Sequence, residues 1–442
     1  MEMKRYPNDG GCERLHLDVC VDERTPRHGT LELLKKLRPE WKPEDIQIKA
    51  FTEGITNQLM GCYVGSLMQD PVLLVRVYGQ MTELFMDRDK EMEMFRVLYK
   101  HGCGPELYCS FTNGICYEFV KGVVLDDTLL RQPSVYRLIA TEMGKIHSIK
   151  SEETGNSSPV LWSRLSQFLN LVQSSDAPEQ QKSSAHVEAP SLKIIIKEME
   201  ELKSHLTHIN SPVVLCHNDL LTKNVIYNQE EGAVKFIDYE YADLNYQAYD
   251  IGNHFNEFAG INNVDSSLYP SCELQFDWLT AYLESFKWFS GVDSTVTKKE
   301  VLELYVQVCK FSLVAHLFWC LWALLQAKHS TIDFDFQRPY FFPSSDETDP
   351  PLQFAGPTPS PPDTAGFSTR LHCGCRSAGP ATCSCSRGQR VSAVQEFRLL
   401  ASDADPLPTP VPPFSELIFP YAMARFNYYF EKKQEFFGMK LP

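Results

Sequence analysis

The chain has 442 residues, 43% hydrophobic and 22% charged, an ordinary globular composition with enough length for two lobes that each bury a core. A net charge of −15 and a pI near 5.3 exclude a general nucleic-acid binder and a polybasic membrane anchor. Residues 1–9 carry no apolar signal core. The most apolar stretch, 311–325, contains His316 and is shorter than the roughly 20 residues of a membrane span, so a buried helix is expected there. Fourteen scattered cysteines without a signal sequence point to reduced thiols in the cytoplasm.

Residues 1–28 are polar and without obvious period, and read as a flexible tail. Leu31, Leu34 and Leu37 recur at helical spacing before Pro39. Strand-like runs follow at 46–51, 59–64 and 72–78. The first two are joined by a turn, Thr52-Glu-Gly-Ile-Thr-Asn57. Its Gly54, Thr56 and Asn57 are either plain turn chemistry or a flap whose N–H groups cover a phosphate. Arg76 stands inside an apolar strand, where a cation is expensive to bury alone, so it faces outward on an edge or pairs with an anion. A helix over 88–101 carries Glu91, which is either a solvated carboxylate or that anion. Strands at 106–111 and 115–119 run into the connector Val120-Lys-Gly122, where a backbone hinge for adenine would lie. The spacing then predicts helices over 133–149, 161–172 and 193–208, the middle one within a polar surface excursion.

The stretch 213–224 ends an apolar run in His217, Asn218 and Asp219, with Asn224 five residues on. A second apolar run, 234–237, delivers Asp238. An Asp, an Asn at plus five and an Asp at plus nineteen suit ATP-dependent phosphoryl transfer. One carboxylate takes the proton of the attacking hydroxyl, and the amide and second carboxylate hold magnesium on the phosphates. The alternative is an Asx-rich turn between buried strands. Residues 239–257 are dense in Tyr, Asp and Glu, a composition unusual for a core helix and suited to a pocket for a small cation. Long helices are expected over 273–289 and 299–328. The second carries Trp319 and Trp322, a pairing that is more often core than ligand cage.

These residues carry a family resemblance. Phe51-Thr-Glu-Gly-Ile-Thr-Asn57, Val72-Leu-Leu-Val-Arg-Val-Tyr-Gly79, Cys216-His-Asn-Asp-Leu-Leu, Phe236-Ile-Asp-Tyr-Glu-Tyr and Tyr249-Asp-Ile-Gly-Asn-His-Phe-Asn-Glu-Phe-Ala-Gly260 resemble the choline/ethanolamine kinase family, and within it the ethanolamine kinases. The resemblance spans roughly residues 30–336 and 421–437. It implies an α+β, bilobal protein-kinase-like fold: a small β-rich N-lobe over 29–122, a mainly helical C-lobe over 123–338, and a last helix over 421–442. It implies ATP and Mg2+ as cosubstrate and cofactor, and transfer of the γ-phosphate to ethanolamine for phosphatidylethanolamine synthesis. Choline kinase activity is the alternative substrate reading. Position by position, Asp219 resembles the catalytic base and Asn224 and Asp238 the magnesium ligands. Gly54, Thr56, Asn57, Arg76 and Glu91 resemble the nucleotide-binding set, and Tyr241, Asp250, Glu257, Trp319 and Trp322 the amino-alcohol pocket. No nucleic acid and no membrane span are expected, and a homodimer is compatible with the family.

Between Phe336 and Tyr421, where the family passes within a few residues to its last helix, this chain inserts residues 339–420. That segment holds more than half of the chain's 28 prolines, no lysine and no sustained apolar period, and a disordered insertion is expected. Cys373, Cys375, Cys383 and Cys385 form Cys-x-Cys pairs rather than the Cys-x-x-Cys knuckles of structural zinc. An insertion that displaced the last helix would leave a catalytically impaired form acting as a scaffold.

Overall fold

The computed structural model describes residues 4–6, 14–53, 57–65, 72–79, 87–150, 158–174, 191–260, 265–329 and 414–442. The flap residues Gly54 and Thr56 and the expected insertion up to residue 413 lie outside them.

The first lobe contains β1 (Lys4–Tyr6), β2 (Arg14–Leu17), α1 (Pro26–Leu37), β3 (Ile46–Glu53), β4 (Asn57–Val64), β5 (Leu73–Tyr78), α2 (Arg88–Lys100), β6 (Leu107–Phe111) and β7 (Gly114–Glu118). The strands form one seven-stranded sheet in the order β1-β2-β6-β7-β5-β4-β3. Central β5 is Leu-Leu-Val-Arg-Val-Tyr, hydrophobic on both faces because α1 covers one side and α2 the other. Helix α2 starts where the Asp87 carboxylate accepts the Lys90 N–H at 3.0 Å. Asp89 and Glu91 lie in its first turn and Lys100 in its last, the charge order the helix dipole favours.

The N-terminal residues are a correction to the flexible tail. β2 runs parallel to β6, with His16 opposite Ser110 and Leu17 opposite Phe111. Leu17, Val19 and Val21 are buried with Leu33 and Leu34 of α1. Every second residue from Leu15 to Val21 is apolar, a strand period obscured by the polar residues between.

The rest of the described chain holds β8 (Val123–Val124), α3 (Asp127–Leu130), α4 (Pro133–His147), α5 (Leu161–Ser174), α6 (Leu192–Leu206), β9 (Val213–Cys216), β10 (Val225–Asn228), β11 (Ala233–Phe236), β12 (Asp243–Tyr246), α7 (Gln247–Glu257), α8 (Cys272–Phe289), α9 (Lys298–His329) and α10 (Phe414–Gly438). Two small sheets, β11-β10-β8 and β12-β9, carry the loops between them. The connector out of β7 turns at Gly122, at φ 144°, where a Cβ would lie 2.6 Å from the Tyr227 carbonyl oxygen. No other residue fits that approach.

Helix α7 corrects a second expectation. Despite its polar composition it is a core helix, with every residue from Gln247 to Glu257 buried. It approaches α9 so closely that a Cβ on Gly252 would lie 2.9 Å from the Val308 carbonyl oxygen and the Ser312 nitrogen. Helix α9 is long and apolar enough to cross a membrane, but 94% of its most apolar window is enclosed by the fold. Helix α10 begins at Phe414, ahead of the expected start at Tyr421, and seats Ala422, Phe426, Tyr429 and Phe436 in the main core.

Candidate active site

The loop after β9 is held from behind by one face of α7. Asp250, Asn253 and His254, spaced i, i+3 and i+4, point at it together. Asp250 Oδ1 accepts the Asn218 N–H at 2.7 Å, and its Oδ2 accepts the His217 N–H and His147 Nε2, both at 2.9 Å. Burial works to raise the Asp250 carboxyl, but the His147 hydrogen bond and charge and the loop N–H outweigh it and hold it below the usual range. Asp250 is therefore no pocket liner, contrary to expectation. Its side chain is 1% exposed and both oxygens are committed to the loop and to His147. Asn253 donates to the Asn218 carbonyl at 3.3 Å, and His254 Nδ1 donates to the Leu220 carbonyl at 2.9 Å.

The loop needs this support because Asn218 sits at φ 66°, a left-handed conformation that costs a non-glycine residue about 1 kcal/mol or more. The Asn218 side chain locks it by donating to the carbonyls of Tyr241 at 2.9 Å and Asp243 at 3.3 Å, and by accepting from Asn245 at 2.8 Å. His217 Nε2 donates to the Ile237 carbonyl at 2.9 Å, which leaves Nδ1 to accept the Asp219 N–H at 3.3 Å. These bonds fix the backbone on both sides of Asp219.

His254 carries a measurable signature. Burial pushes its imidazole down to about 4, against about 6.5 in an unfolded chain. Above pH 6.5 both states are neutral and the buried histidine costs nothing. As pH falls toward 4 the unfolded state takes up the proton and the folded state does not, so stability is lost. The stability difference between wild type and His254→Asn should shift by about 3 kcal/mol from pH 7 to pH 4, read from urea midpoints at each pH. A pH-independent difference would refute it.

Asp219, Asn224 and Asp238 come together beneath β5. Asn224 donates through Nδ2 to the Asp219 carbonyl at 2.9 Å, which turns its amide oxygen the other way. Asp238 follows β11 at φ 68°, and its side chain stays 35% exposed. Asp219 is likewise partly exposed. Burial, then the charges of Asp238, Glu257 and Glu240, raise the Asp219 carboxyl well above the usual range, and Arg425 pulls it back. A carboxylate and an amide oxygen crowded by further carboxylates form a hard-oxygen donor set that suits magnesium. The residues present fit that ion.

Above them, Arg76 is 5% exposed and reaches Asp238 at 2.8 Å, Glu240 at 2.9 Å and Glu91 at 3.2 Å. Burial works to lower the guanidinium pKa, but Asp238, Glu240 and Glu91 hold it well above its ordinary value. Glu240 and Arg88 escaped the sequence reading. Glu240 also takes Arg88 and Asn57 Nδ2, each at 3.3 Å. Burial, then Asp238, pushes its carboxyl up to about 7 against the pull of Arg76. Arg88 bonds Glu91 at 2.9 Å and lies 3.9 Å over the Tyr78 ring. Only a strongly acidic neighbourhood gives a buried arginine and a half-buried one beside it this much compensation.

On the other side of Asp219 lies an aromatic wall. Trp319 stands edge-on to Tyr241 at 5.5 Å and to Trp322 at 5.7 Å, and its Nε1 donates to Asn253 at 2.8 Å. Glu257 ends α7, and its charge acts on Asp219. The sequence reading missed Tyr421 and Arg425 of α10. Arg425 is fully buried and pairs with Glu257 at 2.5 Å, and Tyr421 Oη accepts from its Nε at 3.1 Å.

A β-rich lobe whose buried strand arginine meets a helix glutamate, set over a loop and strand that bring three oxygen-bearing side chains together, is the architecture of protein-kinase-like phosphotransferases. Residues 48–341 match the family described as choline/ethanolamine kinase. The chain is 52% identical over 330 residues to human ethanolamine kinase 1, covering 74% of this chain and 73% of that one. It is 50% identical over 323 residues to human ethanolamine kinase 2, covering 73% and 81%. The solved structure of a Plasmodium vivax ethanolamine kinase superposes with a TM-score of 0.58 at 28% identity, covering 71% of this chain and 86% of that one. The chain belongs to the choline/ethanolamine kinase family.

Proposed function

We propose that this chain is an ATP-dependent ethanolamine kinase that makes phosphoethanolamine for phosphatidylethanolamine synthesis. The observation that carries the reading is the position of Asp219, which Asn224 bonds through its carbonyl and whose carboxylate feels the charges of Asp238 on one side of the set and Glu257 on the other. Asp219 accepts the proton of the ethanolamine hydroxyl as its oxygen bonds the γ-phosphorus of ATP and the bond to the ADP oxygen breaks. Asn224 and Asp238 would hold magnesium, which would offset the phosphate charge. Arg76, tethered by Glu91 and Glu240, supplies a fixed cation beside the phosphates, and Asn57 lies next to Glu240 at the base of the flap.

Acceptor choice follows from the ammonium. A primary ammonium has three N–H donors for a carboxylate such as Glu257, whereas a quaternary one relies on ring faces. The run after Glu257 is Phe258-Ala-Gly260, poor in aromatics, which supports ethanolamine. Tyr241, Trp319 and Trp322 are compatible with choline as a weak second substrate. Purified protein should give a higher kcat/KM for ethanolamine than for choline, and the reverse order would sink the assignment.

A further inference from the structure

We infer that Arg425, on the last helix, is a positioning residue for the acceptor: it fixes the Glu257 carboxylate by one oxygen so that the other receives the substrate ammonium. The inference deepens the ethanolamine reading and rests on it. Arg425 has 1% of its surface exposed and Glu257 has 5%. The bond runs from a guanidinium nitrogen to Glu257 Oε1, which leaves Oε2 as the oxygen for another donor. The guanidinium is itself held, since Nε donates to Tyr421 Oη and the ring of Tyr421 lies 5.2 Å from it.

Stability alone is a poor account of such a pair, because a buried ion pair often contributes no more than apolar side chains of the same volume. Its geometry has a clearer use. Glu257 is the last residue of α7, where a free glutamate would sample several rotamers. Clamped, it presents one oxygen at a set position.

The test uses the full chain with Arg425→Ala, Arg425→Gln, Arg425→Lys, Glu257→Gln and the Arg425→Gln/Glu257→Gln double variant, with ethanolamine and ATP varied separately. Removing the guanidinium should raise KM for ethanolamine about tenfold or more while KM for ATP changes less than about twofold. Lysine should restore most of the loss. In the double variant the Arg425 change should add less than about threefold. If Arg425→Ala does not fold, the neutral Arg425→Gln decides by the same ratio. A normal ethanolamine KM in Arg425→Gln, equal rises in both KM values, or multiplicative effects in the double variant would overturn this inference and leave the ethanolamine assignment standing. Wild-type turnover of choline but not ethanolamine would overturn the assignment and this inference with it, since a quaternary ammonium has no N–H for Oε2.

Discussion

Asp219→Ala should lower kcat about 10³-fold, within the range that losing a positioned base produces. The folded protein should change little. Asp219 is partly exposed, and its N–H bond to His217 involves the backbone, which alanine retains. The loop conformation is set by Asn218 and by the α7 contacts, none of which uses the Asp219 carboxylate. The melting temperature should therefore stay within about 2 °C of wild type, and KM for ATP should move far less than kcat. A variant that keeps its rate would show that another group takes the proton. Glu257 is the first to examine, because it is the other acceptor beside the pocket.

Asp250→Ala should behave in the opposite way, losing stability first and activity as a result. The substitution strands two buried N–H groups, those of His217 and Asn218, and removes the carboxylate that His147 faces. Each orphaned donor costs about 1–3 kcal/mol, and His147 Nε2 is left as a third buried group without its partner. Summing these overcounts, because water and small shifts recover part. A net loss of about 4 kcal/mol is expected, and a melting temperature lower by roughly 8 °C. His147→Phe removes the partner and leaves the two N–H bonds, so it should cost less and retain more activity below its melting point. If Asp250→Ala instead raised KM for ethanolamine in a protein of normal stability, Asp250 would belong to the pocket after all.

The two residues separate what the sequence made legible from what it did not. Asp219, Asn224 and Asp238 stand at fixed spacing on a single strand-loop-strand unit, so a local pattern suffices to bring them together. Arg76 was readable because a lone cation in an apolar strand demands an anion, and Glu91 was the nearest one on a helix. Asp250 looks the same as a pocket carboxylate in sequence. Only the fold shows that it faces inward, toward backbone N–H groups that no side-chain pattern records. Helix α7 misled for the same reason, since its polar residues are satisfied by distant partners such as Leu220, Ser312 and Trp319. The strand from Leu15 was hidden because its partner, β6, lies 94 residues away at the His16–Ser110 contact. Arg425 and Glu240 are visible only through contacts 168 and 164 residues apart.

The position of α10 also bears on how the enzyme comes into being. Arg425 and Tyr421 meet Glu257 and the charge of Asp219, both of which precede them in the chain. A ribosome delivers the chain from its N-terminus at about 5–20 residues per second. The nucleotide lobe, the loop around Asp219 and the aromatic wall can therefore assemble while the last helix is still being made. The Glu257–Arg425 pair therefore forms last, and a nascent or prematurely ended chain that stops before Tyr421 leaves the buried Glu257 carboxylate without its guanidinium.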